Sequence, residues 1–292
     1  MSIIKNYLIS LRMKQWVKNL LIFAPIFFSL NFTNVNYLIN AFYAFILFSI
    51  IVGNIYILND VVDKKNDKNH PKKKFRPIAA GKLSIITAIS IALTTLSLVL
   101  IIAFYFNTKF FIISVIYVII NILYSNFLKN IAVFDVIIIA FGFVLRVMIG
   151  GKINDIYLSP WIFIITFLLA LFLGLVKRRQ EFILTGNAES IETRSSLKNY
   201  SIDFLDQLIS ITTSATLISY IIYVLNPDIQ NYFHTKDLYL TVPFVIFGIF
   251  RYLYLTYIKE KGENPDEILF SDIPFLLNII LWVGVFVIII YN

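Results

Sequence analysis

Apolar residues recur in nine long stretches, at about 17–33, 37–58, 85–106, 110–127, 132–150, 160–176, 205–225, 238–258 and 270–291. A helix that crosses a bilayer needs about 20 largely apolar residues, and each stretch is near that length. Backbone groups in lipid have no water to bond, so each stretch is predicted to be a helix. The first is the weakest of the nine. Pro25 interrupts it, and residues 31–36 read as a short polar turn. No internal repeat or low-complexity linker divides the chain, so one helical-bundle domain over 1–292 is the simplest partition. Ahead of the stretches, residues 1–16 set Lys5, Arg12 and Lys14 among Ile3, Ile4, Leu8, Ile9 and Leu11. No apolar core with a small-residue cleavage site follows. An amphipathic helix lying on the interface is expected there, with Trp16 at headgroup level.

Composition sharpens this to an all-α integral membrane protein. Only 14% of residues are charged and mean hydropathy is +0.82, where a soluble domain carries about a quarter charged residues. There is no cysteine, which removes disulfides and thiolate metal sites. His70 and His234 are too few for a histidine-rich metal site. The net charge of +8 would suggest nucleic acid in a soluble protein. Here the cations lie in the loops, so orientation explains them and no nucleic-acid partner is expected. Of the 25 Lys and Arg, twenty fall in the amino-terminal segment and the loops on its side. Three, Lys109, Lys152 and Lys236, fall opposite, and Arg146 and Arg251 lie within stretches. The expected topology is nine transmembrane helices in the cell membrane, with a cytoplasmic N-terminus.

Residues 54–84 interrupt the apolar pattern most sharply. Asp60, Asp63 and Asp67 are spaced i, i+3, i+7, which on a helix puts all three on one face. Lys72, Lys73, Lys74 and Arg76 follow. Close carboxylates repel unless a cation neutralises them, and magnesium takes oxygen ligands from one or two carboxylates, water and substrate phosphate. Asn59 adds a neutral oxygen. The plainer alternative is a solvated acidic helix end offset by Lys64, Lys65 and Lys68. Pro71 and Pro77 hold the following loop out of a regular helix. Lys73 and Arg76 are candidates to grip phosphate, Arg in bidentate fashion; setting topology or meeting anionic headgroups is the other role open to them.

Other residues on the same predicted side are candidates of lower specificity. Lys14 and Lys18 sit i, i+4 in RMKQWVKN, as an ordinary helix-end pair also would. Tyr124 and Lys129 flank the tight turn YSNFLKNIAVFD. Asp135 re-enters the membrane about a turn beyond it, and Arg146 follows eleven residues later. Intramembrane charges are expensive and mark function by default; a helix-start carboxylate and a snorkelling arginine are the structural alternatives. The loop at 177–204 opens with Lys177, Arg178 and Arg179 and carries Arg194. A basic triplet at the end of a span is also an ordinary stop signal.

The segment NDVVDKKND, residues 59–67, resembles the NDxxDxxxD signature of the UbiA superfamily of intramembrane prenyltransferases. HPKKKFRPIAAGKLS, MKQWVKNLLIFAP, YSNFLKNIAVFDVIIIAFGFVLRVMIGG, SPWIFIITFLLALFLGLVKRRQE and DFLDQLI are similar, in the same order, to the decaprenyl-phosphate phosphoribosyltransferase branch. The likeness runs from Arg12 to about Pro274. It implies a nine-helix UbiA-like bundle with a polar chamber facing the cytoplasm. Ordinary members carry a second aspartate-rich motif in the loop after the sixth span. This chain has Lys177-Arg178-Arg179 there, as that branch does, and has Met13 where the branch commonly has proline.

The resemblance implies a magnesium-dependent transfer of 5-phosphoribosyl from phosphoribosyl pyrophosphate to a polyprenyl phosphate, serving cell-envelope sugar-donor synthesis. Asp60, Asp63, Asp67 and Asn59 are then the metal ligands, with Lys73 and Arg76 on the pyrophosphate. Lys14, Lys18, Tyr124, Lys129, Lys177, Arg178, Arg179 and Arg194 are shared between the 5-phosphate and the lipid phosphate. An ordinary prenyltransferase using a prenyl diphosphate, and a non-enzymatic lipid carrier, are the alternatives. Prenyl chain length is open, as is assembly into a homo-oligomer.

Overall fold

The polar breaks between apolar stretches become helix caps. Asn34 accepts from the backbone N–H of Asn36 and Tyr37 and starts α3 (Val35–Val62). Ser84 accepts from Thr87 to start α5 (Ile85–Phe106), and Asn107 from Phe110 to start α6 (Thr108–Asn126). Short polar side chains at these positions satisfy N–H groups that the first turn leaves without partners. The computed structural model describes residues 3–69, 72–186, 195–259, 268 and 271–291. His70, Pro71 and Arg194 lie outside the described residues.

Ahead of α3 come α1 (Ile3–Ser10), an eleven-residue 3-10 segment (Met13–Phe23) and the short α2 (Ala24–Phe27). The expected span at 17–33 is therefore not one long α-helix. Pro25 falls in the first turn of α2, where a missing N–H costs least. The preceding 3-10 winding rises faster per residue than an α-helix. After α3 the chain continues through α4 (Lys64–Asn69), a 3-10 turn at Lys73–Phe75, α5, α6, a 3-10 turn at Leu128–Asn130 and α7 (Phe134–Lys152). Then come α8 (Pro160–Gly186), α9 (Ile202–Leu225), α10 (Pro227–Phe233), α11 (Val242–Tyr257) and α12 (Ile273–Tyr291). Eight helices among the described residues are long and apolar enough to cross a membrane. They coincide with the second to ninth expected stretches.

The chain divides into two compact units, Met1–Leu158 with Ser190–Lys198, and Ser159–Glu189 with Asn199–Asn292. In the first unit, α3 is central. It packs on α5, α6, α7 and the 3-10 segment, around Phe48, Ile51, Ile55, Phe110, Leu145 and Ile149. The 3-10 segment lies so close to α7 that a Cβ on Gly150 would sit 1.9 Å from the Ile22 carbonyl oxygen. A smaller apolar cluster of Leu11, Ile57, Ile78, Leu83, Ala88 and Ala92 seats the loop after α4 against α1, α3 and α5. In the second unit, α8 runs beside α9, and α11 packs on α9 and α12.

Candidate active site

The 28 residues of α3 span about 42 Å at about 1.5 Å per residue, against about 30 Å of hydrocarbon. Its last turns can therefore clear the apolar layer, and these turns carry Asn59 and Asp60. Asp63 caps the helix, its N–H bonding Asn59 O at 2.9 Å. The Asp67 N–H bonds Asp63 O at 2.9 Å, so the chain stays nearly helical into α4.

The three carboxylates do not share one partner. Asp60 and Asp67 are both buried, at 3% exposure, and both face Arg76. Arg76 Nη1 donates to Asp60 Oδ1 at 3.1 Å and to Asp67 Oδ2 at 2.6 Å. Asp60 Oδ1 also accepts from Arg12 Nη2, whose guanidinium lies 4.9 Å from the Tyr56 ring centre. Asp63 turns instead to Lys129 Nζ at 2.5 Å. Asn59 Oδ1 accepts from Ser125 Oγ. The single face expected from the i, i+3, i+7 spacing is thus divided, because Asp63 stands at the helix end and reaches toward the turn between α6 and α7.

Arg76 is held in place by its loop. The Ala80 N–H bonds Arg76 O at 2.8 Å, the Lys82 N–H bonds Pro77 O at 2.8 Å, and Gly81 takes a positive φ of 73° that glycine adopts without Cβ strain. Ile78 and Leu83 anchor this turn in the small apolar cluster. Arg12 is placed by a left-handed backbone at φ 52°, ψ 53°, which ends α1 and starts the 3-10 segment. The chain just before it passes close to α3: a Cβ on Gly53 would meet Leu11 Cδ2 at 2.7 Å and Leu11 O at 3.1 Å.

Arg76 Nη1 marks the point where Asp60 and Asp67 converge. Every donor there is a hard oxygen, which suits a magnesium-type ion held by two carboxylates and completed by water and phosphate. The residues fit such an ion as an open site. They do not form a closed three-carboxylate cage, and no three His, Cys, Asp or Glu converge on one point among the described residues.

The first unit thus gathers Asn59, Asp60, Asp63, Asp67, Arg76 and Lys129. Lys14 is exposed on the 3-10 segment, and Lys18 Nζ donates to Gln15 Oε1 at 2.5 Å. Lys73 is half-buried in its turn, and Tyr124 is buried near the end of α6. Lys177, Arg178 and Arg179 belong to the second unit, on α8. Arg178 pairs with Glu181 at 2.5 Å. Arg179 donates to Asp206 at 2.6 Å and stacks 4.0 Å from the Tyr257 ring centre.

Asp135 is fully buried in the first turn of α7 and accepts from Ser196 Oγ at 3.2 Å. Arg146 does not snorkel. It is buried in the first unit and donates to Asn19 Oδ1 at 2.8 Å, Gly142 O at 2.6 Å and Tyr117 Oη at 3.2 Å.

Arg12 joins Asp60 and Ser125 joins Asn59 by direct contact, though spacing along the sequence does not single them out. Arg12 lies 48 positions from Asp60, and Ser125 lies 66 from Asn59. The one available signal for Arg12 is its place beside the polar run MKQWVKN.

Residues 20–280 match the UbiA prenyltransferase family. The chain belongs to that family. It is 28% identical over 294 residues to the decaprenyl-phosphate phosphoribosyltransferase of Mycolicibacterium smegmatis, covering 97% of this chain and 92% of that protein. The protein of that name from Corynebacterium glutamicum is 30% identical over 287 residues, with 97% and 86% covered. An uncharacterized protein of Sinorhizobium fredii is 28% identical over 272 residues, and the chain spans 53% of its length. A UbiA homologue from Archaeoglobus fulgidus, solved with GPP and Mg2+, superimposes with a TM-score of 0.71 at 20% identity, over 98% of this chain and 100% of that one. This UbiA member is a multi-pass membrane transferase acting on prenyl-phosphate chemistry.

Proposed function

We propose that this UbiA member transfers 5-phosphoribosyl from phosphoribosyl pyrophosphate to a polyprenyl phosphate and releases pyrophosphate. One observation carries the reading. A buried carboxylate pair, Asp60 and Asp67, converges beside Arg12 and Arg76, with Lys129 on neighbouring Asp63, while α8, beyond the sixth expected span, carries Lys177, Arg178 and Arg179 in place of a second acidic motif. One acidic site suits one pyrophosphate. The basic end of α8 suits a lipid that arrives as a monophosphate. The relatives named phosphoribosyltransferase support the same choice.

Asp60 and Asp67, with Asn59 and Asp63 beside them, would hold magnesium, which supplies charge neutralisation to the leaving pyrophosphate when bound. Arg76, Lys73 and Lys129 bind the donor's remaining phosphate oxygens by charge-assisted hydrogen bonds. A lipid phosphate oxygen attacks the ribosyl C1 as the C1–O bond to pyrophosphate breaks, and the bonding pair leaves with pyrophosphate. That oxygen is ionised near neutral pH, so no side chain has to remove a proton. Catalysis here is positioning and electrostatics. Lys14, Lys18, Tyr124, Lys177, Arg178, Arg179 and Arg194 are candidates for the 5-phosphate and the lipid phosphate. The loop cations favour the cell membrane, with this site facing the cytoplasm and the product feeding cell-envelope synthesis.

The test uses purified protein, magnesium, phosphoribosyl pyrophosphate labelled in the ribose, and polyprenyl phosphate. Label should move into the lipid phase. A protein that leaves that label in water, yet joins a prenyl diphosphate to an aromatic acceptor, is an ordinary UbiA prenyltransferase and the proposal is wrong.

A further inference from the structure

Three carboxylates and three basic side chains meet in two neighbouring groups at the end of α3. Arg12 and Arg76 share Asp60, Arg76 also holds Asp67, and Lys129 holds Asp63. The formal charges cancel. A divalent ion needs the same carboxylate oxygens that these cations occupy, so metal binding and the internal ion pairs compete.

Arg12 and Lys129 are the members that neither the acidic signature nor the basic loop contains, and of the two Arg12 is the one on Asp60. Three features aim it. Its backbone is left-handed, a conformation a residue with a Cβ pays for and that concentrates at functional sites. Its guanidinium rests on the Tyr56 ring, one turn before Asp60 on α3. Its side chain keeps 27% exposure while its partner Asp60 keeps 3%. One end of the pair is therefore buried, and the other is open to a ligand arriving from solvent.

We propose that Arg12 is a donor-binding residue that works by exchange. It neutralises Asp60 until a divalent ion takes that carboxylate, and it then passes to the donor's diphosphate. The proposal rests on the reading that Asp60 and Asp67 hold a divalent ion. Its physical content is a coupling. A metal ion arriving alone must break the pairs and leave Arg12 beside new positive charge. A metal ion arriving with diphosphate gives Arg12 a new anion at the same moment. Metal and diphosphate therefore favour each other's binding, by one reciprocal factor. Arg12 is part of that factor.

The experiment measures binding, on the full-length protein in detergent micelles. Mn2+ is followed by electron paramagnetic resonance, alone and with inorganic pyrophosphate, in wild type, Arg12→Gln and Arg12→Lys. Wild type should bind Mn2+ at least about tenfold more tightly with pyrophosphate than without. Arg12→Gln should bind Mn2+ alone more tightly than wild type, because the competing cation is gone, and should lose most of the pyrophosphate enhancement. Arg12→Lys should keep part of it. Tyr56→Leu, which leaves Arg12 but removes the ring beneath it, should shift both quantities the same way by less, and stands in if Arg12→Gln does not fold. An Arg12→Gln protein with the wild-type enhancement, or with weaker binding of Mn2+ alone, overturns the exchange role. Wild type that binds no Mn2+ under either condition overturns the metal reading itself.

Discussion

Lys129 and Asp63 are 66 residues apart in the chain and meet at 2.5 Å, joining the turn between α6 and α7 to the end of α3. Both are partly exposed, 15% for the Lys129 side chain and 31% for Asp63. Such a pair contributes about 1 kcal/mol or less to stability. Its value to the proposed chemistry is larger, because a cation at this place faces the donor's phosphates. Lys129→Gln should leave the thermal midpoint near wild type and lower kcat/KM for phosphoribosyl pyrophosphate by about tenfold or more. Lys129→Arg should recover part of that loss. Activity and thermal unfolding measured on one preparation check both halves. A large fall in midpoint with unchanged kcat/KM would make the lysine a structural tie.

The division of the carboxylates ranks their variants. Asp60 and Asp67 converge on Arg76, and Asp63 does not. Asp60→Asn and Asp67→Asn should each reduce transfer by about 10³-fold, in line with several kcal/mol of charge stabilisation supplied through a bound ion. Asp63→Asn should cost less. Removing divalent ions with a chelator should abolish transfer in wild type, and added magnesium should restore it. Equal losses in all three variants would mean that Asp63 swings round to join the other two.

Much of this site is legible in the sequence, for stated physical reasons. Eight of the nine expected spans are helices because apolar length is a strong signal in a chain with few charges. Residues 17–33 differ because a prolonged 3-10 winding has no clear sequence mark, and it is stabilised here by contact with α7 at Gly150. Asp60, Asp67 and Arg76 lie within one short stretch, so local spacing finds them. Arg12 and Ser125 do not, since only the packing of α1 and α6 on α3 brings them in. Arg146 reads from sequence as either functional or snorkelling. The structure gives it neutral acceptors and aromatic rings inside the unit, a choice set by Asn19 and Tyr117 far from it in sequence.

Two helical glycines, Gly150 in the first unit and Gly284 in the second, predict unequal sensitivities to an added methyl. At Gly150 an added Cβ meets a backbone carbonyl at 1.9 Å, which cannot yield without moving the 3-10 segment. At Gly284, on α12, nothing lies within 4 Å. Gly150→Ala should destabilise by about 1–3 kcal/mol, the usual cost of overpacking, whereas Gly284→Ala should be neutral or slightly stabilising, since alanine is the better helix former. Thermal unfolding of the two variants side by side decides it. A neutral Gly150→Ala would show that the segment can slide along α7.

Arg146→Met tests what a buried cation without a carboxylate does. Among the described residues Arg146 has only neutral hydrogen-bond acceptors, with the rings of Phe48, Tyr117 and Phe143 about it. Removing the charge relieves a desolvation penalty of several kcal/mol. It also strands Asn19 Oδ1 and Tyr117 Oη, at about 1–3 kcal/mol for each buried polar group left unpaired. The two terms oppose, so the thermal midpoint should move little. Asn19 keeps its bond to Ser49 at 2.9 Å but loses its tie to α7, and the 3-10 segment that follows Arg12 loses a fixed point. Transfer should therefore fall more than stability, with the loss in KM for the donor rather than in kcat. A midpoint collapse with normal KM would instead make Arg146 a plain packing strut.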